Sequence, residues 1–289
     1  MGRSKQNLFA AILLVRFIAG AELPDLRTVP PDLETPPLLS VEPAPGIRVR
    51  QTTTGYPAHK LYHALYLPTN WQPDRRFPVI VEYAGNGNYT NRFGDASSGT
   101  VEGSNMGYGV SGGSNYLWIC MPFVRKTAAG LENCPTWWGD LGETLAYCTN
   151  TVRYVCKAFG GDTNAIILAG FSRGSIACNY IGLNNDTIAP LWRAFICYSH
   201  YDGVRTNWAY AGADHASALT RLRRLRGRPQ FICQEISTLA TETYLKGTGV
   251  PGSFTFQTIP FRNHSDAWLL RDNAARGALR EWLKHSGLP

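Results

Sequence analysis

The chain carries little that would hold a metal or a nucleic acid. None of its seven cysteines forms a Cys-x-x-Cys pair, and no His/Cys set has zinc spacing. No metal and no cofactor are expected. Charge is sparse, at 17% of residues with a formal net charge of +7. The densest basic cluster is Arg221, Arg223, Arg224, Arg226 and Arg228, alternating with Leu222 and Leu225. That alternation predicts the end of an amphipathic helix with a solvated basic face. No aromatic residue interleaves it and no RNA-binding motif accompanies it, which argues against a nucleic-acid partner. Repeats and low-complexity tracts are absent. A long apolar run occurs only from Leu8 to Ala19, where Arg16 interrupts it, so no stable membrane span is expected.

The first 21 residues have another reading. Arg3 and Lys5 make a basic start, the apolar run follows, and Ala19-Gly20-Ala21 has the small-x-small pattern of a cleavage site. Residues 1–21 are therefore expected to be a signal peptide, and the protein secreted or periplasmic. Cleavage would lower the net charge from +7 to +4. Residues 22–46 hold seven prolines and read as an extended linker or a strap over the surface of a catalytic domain at 47–289. All seven cysteines remain after cleavage. In an exported chain Cys120, Cys134, Cys148 and Cys156 are the better disulfide candidates, while Cys178, Cys197 and Cys233 read as buried thiols.

What is present is a nucleophile motif in its proper setting. Five apolar residues, Ala165 to Ala169, run into Gly170-Phe171-Ser172-Arg173-Gly174, and Ser175 to Ile181 continues as a helix. Strand, sharp turn and helix put Ser172 at the apex, and the glycines permit a turn that a Cβ would obstruct. A serine hydroxyl needs a base. Of the histidines well downstream, His285 lies in the tail and His215 at a helix start. His264 lies between the alternating run Phe254–Pro260 and a final helix, where a base belongs.

The acid is open between two positions. Asp202 follows the apolar strand Trp192–Ser199 and is the favoured candidate; Glu235 follows the next strand, Gln230–Cys233, and is the alternative. Asp266 reads as a helix N-cap. For the oxyanion, the Arg173 N–H is joined by the turn Gly85-Asn86-Gly87, which follows the early buried strand Phe77–Tyr83. Trp137 and Trp138 precede a helix starting near Gly142; they are candidates to stack on substrate, with core packing as the plain alternative. The stretch from Tyr89 to Gly113 reads as a long polar loop.

Alternating strands and helices from Pro78 onward imply a mostly parallel twisted sheet with helices on both faces, and residues 47–67 an antiparallel N-terminal hairpin. With Leu65-Tyr66-Leu67-Pro68, Pro78–Val81, the Gly85 turn, Gly170–Gly174 and Asn263-His264-Ser265-Asp266, the chain resembles the α/β-hydrolase superfamily, in particular secreted feruloyl esterases and polyhydroxyalkanoate depolymerase-like serine esterases. The resemblance spans about residues 50–289. It implies a Ser-His-acid esterase acting on a small or polymeric ester, such as plant-wall acyl esters or short polyesters. Two departures stand out: Tyr83-Ala84-Gly85 replaces the usual His-Gly pair, and no Gly-x-x-Asp follows the penultimate strand. A serine peptidase on the same fold and a non-catalytic carbohydrate-binding protein are the competing readings. Oligomeric state is not legible.

Overall fold

A computed structural model describes residues 23–57 and 60–286. The expected signal peptide lies outside the described residues. In chain order the strands are β1 (Leu38–Leu39), β2 (Arg48–Gln51), β3 (His63–Tyr66), β4 (Phe77–Tyr83), β5 (Tyr89–Thr90), β6 (Ala96–Ser97) and β7 (Leu117–Met121). They continue with β8 (Val124–Thr127), β9 (Gly130–Asn133), β10 (Gly161–Phe171), β11 (Ala194–Tyr198), β12 (Pro229–Gln234) and β13 (Ser253–Thr258). The helices are α1 (Met106–Ser111), α2 (Leu141–Phe159), α3 (Arg173–Tyr180), α4 (His215–Leu222), α5 (Leu239–Thr248) and α6 (Ala274–His285).

Nine strands form one sheet in the order β1-β2-β3-β7-β4-β10-β11-β12-β13. Every pairing from β7 to β13 is parallel, while β3 runs antiparallel to both β2 and β7. The antiparallel hairpin therefore stands near one edge of a mostly parallel sheet. A parallel strand covered on both faces must be apolar throughout, because its alternate side chains enter two different cores. From Ala165 onward β10 fits: Ile166 and Leu168 point into one core, and Ile167, Ala169 and Phe171 into the other. The first core is closed by α2 to α5 through Val152, Ile176, Leu222 and Leu245. The second is closed by α1 and α6 through Met106, Val110, Leu279 and Leu283.

Three expectations are corrected here. The stretch Tyr89–Gly113 is not all loop: it carries the hairpin β5–β6 and the helix α1, whose Met106 and Val110 are buried. Its glycines hid the helix, yet Gly107 and Gly109 lie where a Cβ would strike Trp118 and Leu269, so α1 sits too close to the sheet for larger residues. Cys120 on β7, Cys148 and Cys156 on α2 and Cys134 just after β9 are buried free thiols like the other three. The basic cluster is not uniformly solvated. Arg221 is buried, and the Arg228 guanidinium donates to the carbonyls of Leu225, Ala189, Trp192 and Arg224.

Residues 23–46 lie along the domain as a strap. Leu26 is buried, its N–H donates to Asn263 Oδ1 at 2.6 Å, and Arg262 N donates to the Pro24 carbonyl at 3.2 Å. Further along, Asp32 accepts from both terminal nitrogens of Arg276 on α6. The strap is thus fastened beside the loop that carries His264.

Candidate active site

Four adjacent parallel strands, β10 to β13, each end in a residue that converges on one point. In such a sheet the carboxyl ends of the strands open toward a common crevice. Ser172 follows β10, Ser199 follows β11, Glu235 follows β12, and His264 lies in the loop after β13.

Ser172 has φ +54 and ψ −112, the strained elbow that lifts its hydroxyl above the sheet. Packing enforces the glycines: a Cβ on Gly170 would overlap the Gly174 carbonyl, and one on Gly174 would overlap the Tyr83 carbonyl. The elbow is held by Ser172 N donating to the Tyr198 carbonyl at 2.9 Å. Ser172 Oγ lies 3.0 Å from His264 Nε2, and His264 Nδ1 lies 3.0 Å from Glu235 Oε1. Ser199 Oγ is 2.8 Å from the same Nδ1. Burial alone would raise the Glu235 carboxyl, but its hydrogen bond to His264, the charge there, its own backbone and the Tyr198 hydroxyl (2.9 Å) together hold it below the usual carboxylate range.

Asp202 stands elsewhere, and this corrects the favoured acid. Its carboxylate is buried and both oxygens are taken: Arg221 Nε donates to Oδ2 at 2.8 Å, while Arg221 Nη2 (2.9 Å) and the Tyr210 hydroxyl (2.8 Å) donate to Oδ1. Burial raises this carboxyl against the pull of Arg221 and Tyr210. It ties α4 to the β11 loop and leaves the histidine to Glu235.

The histidine loop is gripped from outside the sheet. His264 N donates to Asp95 Oδ1 at 2.8 Å, and Ala96 N returns a bond to the His264 carbonyl at 3.0 Å. Asn263 Nδ2 donates to the Phe93 carbonyl at 2.6 Å, and the strap holds its Oδ1. Asp266 is buried, but Ser265 is the residue that caps the following turn. The Asp266 oxygens instead accept from Asn105 N and Nδ2, and burial pushes its carboxyl up to about 6.

The candidate oxyanion side lies at the end of β4. Among the described residues no backbone partner occupies the N–H of Gly85, Asn86 or Arg173. Gly87 is different: its N–H donates to the Pro135 carbonyl at 2.9 Å, so it is no donor to a substrate. Asn86 Oδ1 accepts from Trp137 N at 2.6 Å, which fixes the turn against the neighbouring loop. The Arg173 side chain is buried over the Phe123 ring at 3.9 Å and donates to backbone carbonyls of Trp137 and Gly99. Burial lowers its guanidinium to about 9, so it remains a cation at neutral pH, one residue along from Ser172.

A cleft of about 430 Å³ opens over Ser172 and His264, walled by Trp137, Trp208, His200 and Ile176. Trp137 faces the cleft and contacts Trp208 at 5.6 Å. Trp138 does not; it is buried among Phe123, Tyr180 and Tyr210, and its expected stacking role is corrected to core packing. The His200 ring lies tilted between Trp208 and His264, 5.3 Å from each. Lost hydration and the neighbouring His264 lower it to about 4, so it is a neutral ring at pH 7. Sequence reasoning did not single out Ser199, His200, Asp95 or Tyr198. Their only sequence signal is position, just past a strand or between short polar runs.

No protein-family model matches the chain, and no curated protein matches it. Solved structures do. It superposes on the feruloyl esterase module of Clostridium thermocellum with a TM-score of 0.54 at 14% identity, over 86% of this chain and 92% of that one. A fungal esterase of Rhizomucor miehei gives 0.54 at 11% identity, over 83% and 82%. Dipeptidyl peptidase 4 of Porphyromonas gingivalis gives 0.51 at 17% identity, over 83% of this chain but 35% of that one. The chain spans 35% to 62% of the length of other hydrolases it matches, an isopeptidase and a thermostable esterase among them. These likenesses establish the architecture: the chain has the α/β-hydrolase fold that these esterases and peptidases share. The described residues include no helix long and apolar enough to cross a membrane.

Proposed function

We propose that this protein is a secreted serine esterase that cleaves carboxylic esters through an acyl-enzyme, with Ser172 as nucleophile, His264 as base and Glu235 as the orienting acid. The observation that carries this reading is the relay Ser172 Oγ to His264 Nε2 and His264 Nδ1 to Glu235 Oε1, each link 3.0 Å. In the first half-reaction His264 Nε2 takes the Ser172 proton as Oγ attacks the ester carbonyl. The same nitrogen then gives that proton to the departing alcohol. Water, deprotonated by His264, releases the acid and restores the serine. Glu235 accepts the Nδ1 hydrogen, which keeps Nε2 free as the base and stabilises the imidazolium that forms.

The N–H groups of Arg173, Gly85 and Asn86 are available to the tetrahedral oxyanion, and the buried Arg173 cation adds a favourable field. An apolar, aromatic wall of Trp137, Trp208 and His200 suits a planar or short aliphatic group on the ester, in line with plant-wall acyl esters or short polyesters. The relay would also serve amide hydrolysis, and a dipeptidyl peptidase shares the fold. Turnover of p-nitrophenyl esters, set beside anilides of the same acyl groups, tests the choice. The expected result is ester turnover abolished by Ser172→Ala and His264→Ala, fluorophosphonate labelling at Ser172, and anilides left nearly untouched. Anilide turnover matching ester turnover would make it a peptidase instead.

A further inference from the structure

Two strand ends, not one, reach the same nitrogen of His264. Ser199 Oγ stands 2.8 Å from Nδ1 and Glu235 Oε1 stands 3.0 Å from it. β11 and β12 are parallel neighbours with Tyr198 beside Cys233, so Ser199 and Glu235 leave the two strand ends staggered by one residue. We propose that Ser199 is a positioning residue that shares the Nδ1 hydrogen with Glu235, and that its place at the end of β11 is a second orienting position occupied by a hydroxyl. This rests on the reading of His264 as the base.

The backbone supports the assignment independently. Ser199 has φ +84, a left-handed conformation that a serine seldom adopts, and its side chain is nearly enclosed. The surroundings hold it there: Ser199 N donates to the Cys233 carbonyl at 2.8 Å, and Ser175 Oγ, on the helix behind Ser172, donates to the next carbonyl, that of His200. Such a conformation persists only where neighbours over-determine it, and it gathers at functional sites. Here it aims a short hydroxyl at the imidazole that an extended residue would turn away.

The chemistry differs between the two partners. An ionised carboxylate only accepts, so Glu235 admits one tautomer of His264. A hydroxyl accepts the same hydrogen but brings no charge, so Ser199 refines the ring's direction and retains part of the tautomer preference when the carboxylate is lost. Asp266 and Asp95 also lie near this loop, but their oxygens are engaged by Asn105, Asn91 and the His264 backbone N–H rather than by the ring.

The test uses the full chain and three variants. Ser199→Gly removes the hydroxyl while suiting the positive φ, so it folds at least as well as wild type. It should lower kcat about 3- to 10-fold with KM unchanged, and shift the low-field proton NMR resonance of His264 Nδ1–H. Glu235→Gln combined with Ser199→Gly should lose about a further 10-fold over Glu235→Gln alone. Glu235→Gln combined with Ser199→Asp, which places a carboxylate on β11 in a residue type tolerant of positive φ, should regain at least about 10-fold. An unchanged kcat and an unmoved resonance in Ser199→Gly would overturn the assignment, as would a folded Ser199→Asp double variant with no gain. The resonance reports the ground-state contact alone. Its response to Ser199→Gly in a protein that turned over no ester would therefore sink the esterase reading and leave the positioning one standing.

Discussion

Two acidic residues end neighbouring strands of this sheet, and the fold uses them for opposite purposes. Asp202, after β11, is sealed against Arg221 and Tyr210 and ties α4 to the sheet. Glu235, after β12, is mostly buried and spends its Oε1 on His264 and Tyr198. A carboxylate with a bidentate guanidinium partner is finished as a ligand; one whose main partner is an imidazole remains responsive to what that imidazole does. The lesson is that the part a carboxylate can play is set by its partners rather than by the strand it follows.

Substitution at each acid separates the two roles. Glu235→Gln should cut kcat for esters by about 10²- to 10⁴-fold, because an amide no longer enforces the His264 tautomer, while its unfolding midpoint at pH 7 falls far less than that of Asp202→Asn. Steady-state kinetics beside denaturant unfolding decide it, and a near-normal kcat would return the acid to another residue. Asp202→Asn should do the reverse. Stranding the buried Arg221 charge costs about 3 kcal/mol or more in stability, with kcat of the folded enzyme within about 3-fold of wild type. A large kcat loss without destabilisation would contradict the structural role.

Acid pH should sharpen the contrast, since the two carboxyls shift in opposite directions. Glu235 is held below its ordinary value, so its stabilisation is complete above the unfolded value of 4.5 and is lost as pH falls through the lower folded value. The stability gap between wild type and Glu235→Gln should therefore close on acidification below about 4.5. Asp202 is raised above 3.8 by burial, so the native state binds its proton more readily and stability falls as pH rises through that raised value. The gap between wild type and Asp202→Asn should widen, not close, as pH drops through that raised value. Urea midpoints at pH 7, 5 and 4 would expose a shared trend, which would defeat the distinction.

The smallest expected effect is at Tyr198, whose hydroxyl lies 2.9 Å from Glu235 Oε1 and 3.1 Å from the Ser265 carbonyl. Tyr198→Phe removes one partner of the carboxylate and keeps the ring stacked on Phe171 at 5.1 Å. A loss of about 2- to 5-fold in kcat is expected, with stability lower by about 1 kcal/mol. An effect as large as that of Glu235→Gln would mean that the tyrosine, not the carboxylate, governs the histidine.

Much of the scaffold was legible because local chemistry dictates it. The run Ala165–Ala169 can only be a strand covered on both faces, and Gly170 and Gly174 flank a serine because no Cβ fits there. Helix α2 was legible as a helix starting near Gly142, and the structure caps it with Asp140 at its start and Gly160, φ +76, at its end. The stretch around α1 was not legible, since its glycines serve close packing against Trp118 and Leu269 and imitate a loop. The cysteines misled for a similar reason: spacing says nothing of which face of an element a thiol occupies.

By itself, then, the sequence determined the alternation of strand and helix, the elbow that presents Ser172, and the loop position of His264, since each follows from neighbours within a few residues. Only the tertiary structure decided that Glu235 and Ser199 meet the imidazole, that Arg221 claims Asp202, that Gly87 is spent on Pro135, and that Trp138 belongs to the core. Those choices depend on distances between atoms brought together by strand order, and a hydrogen bond is made or lost over less than 1 Å.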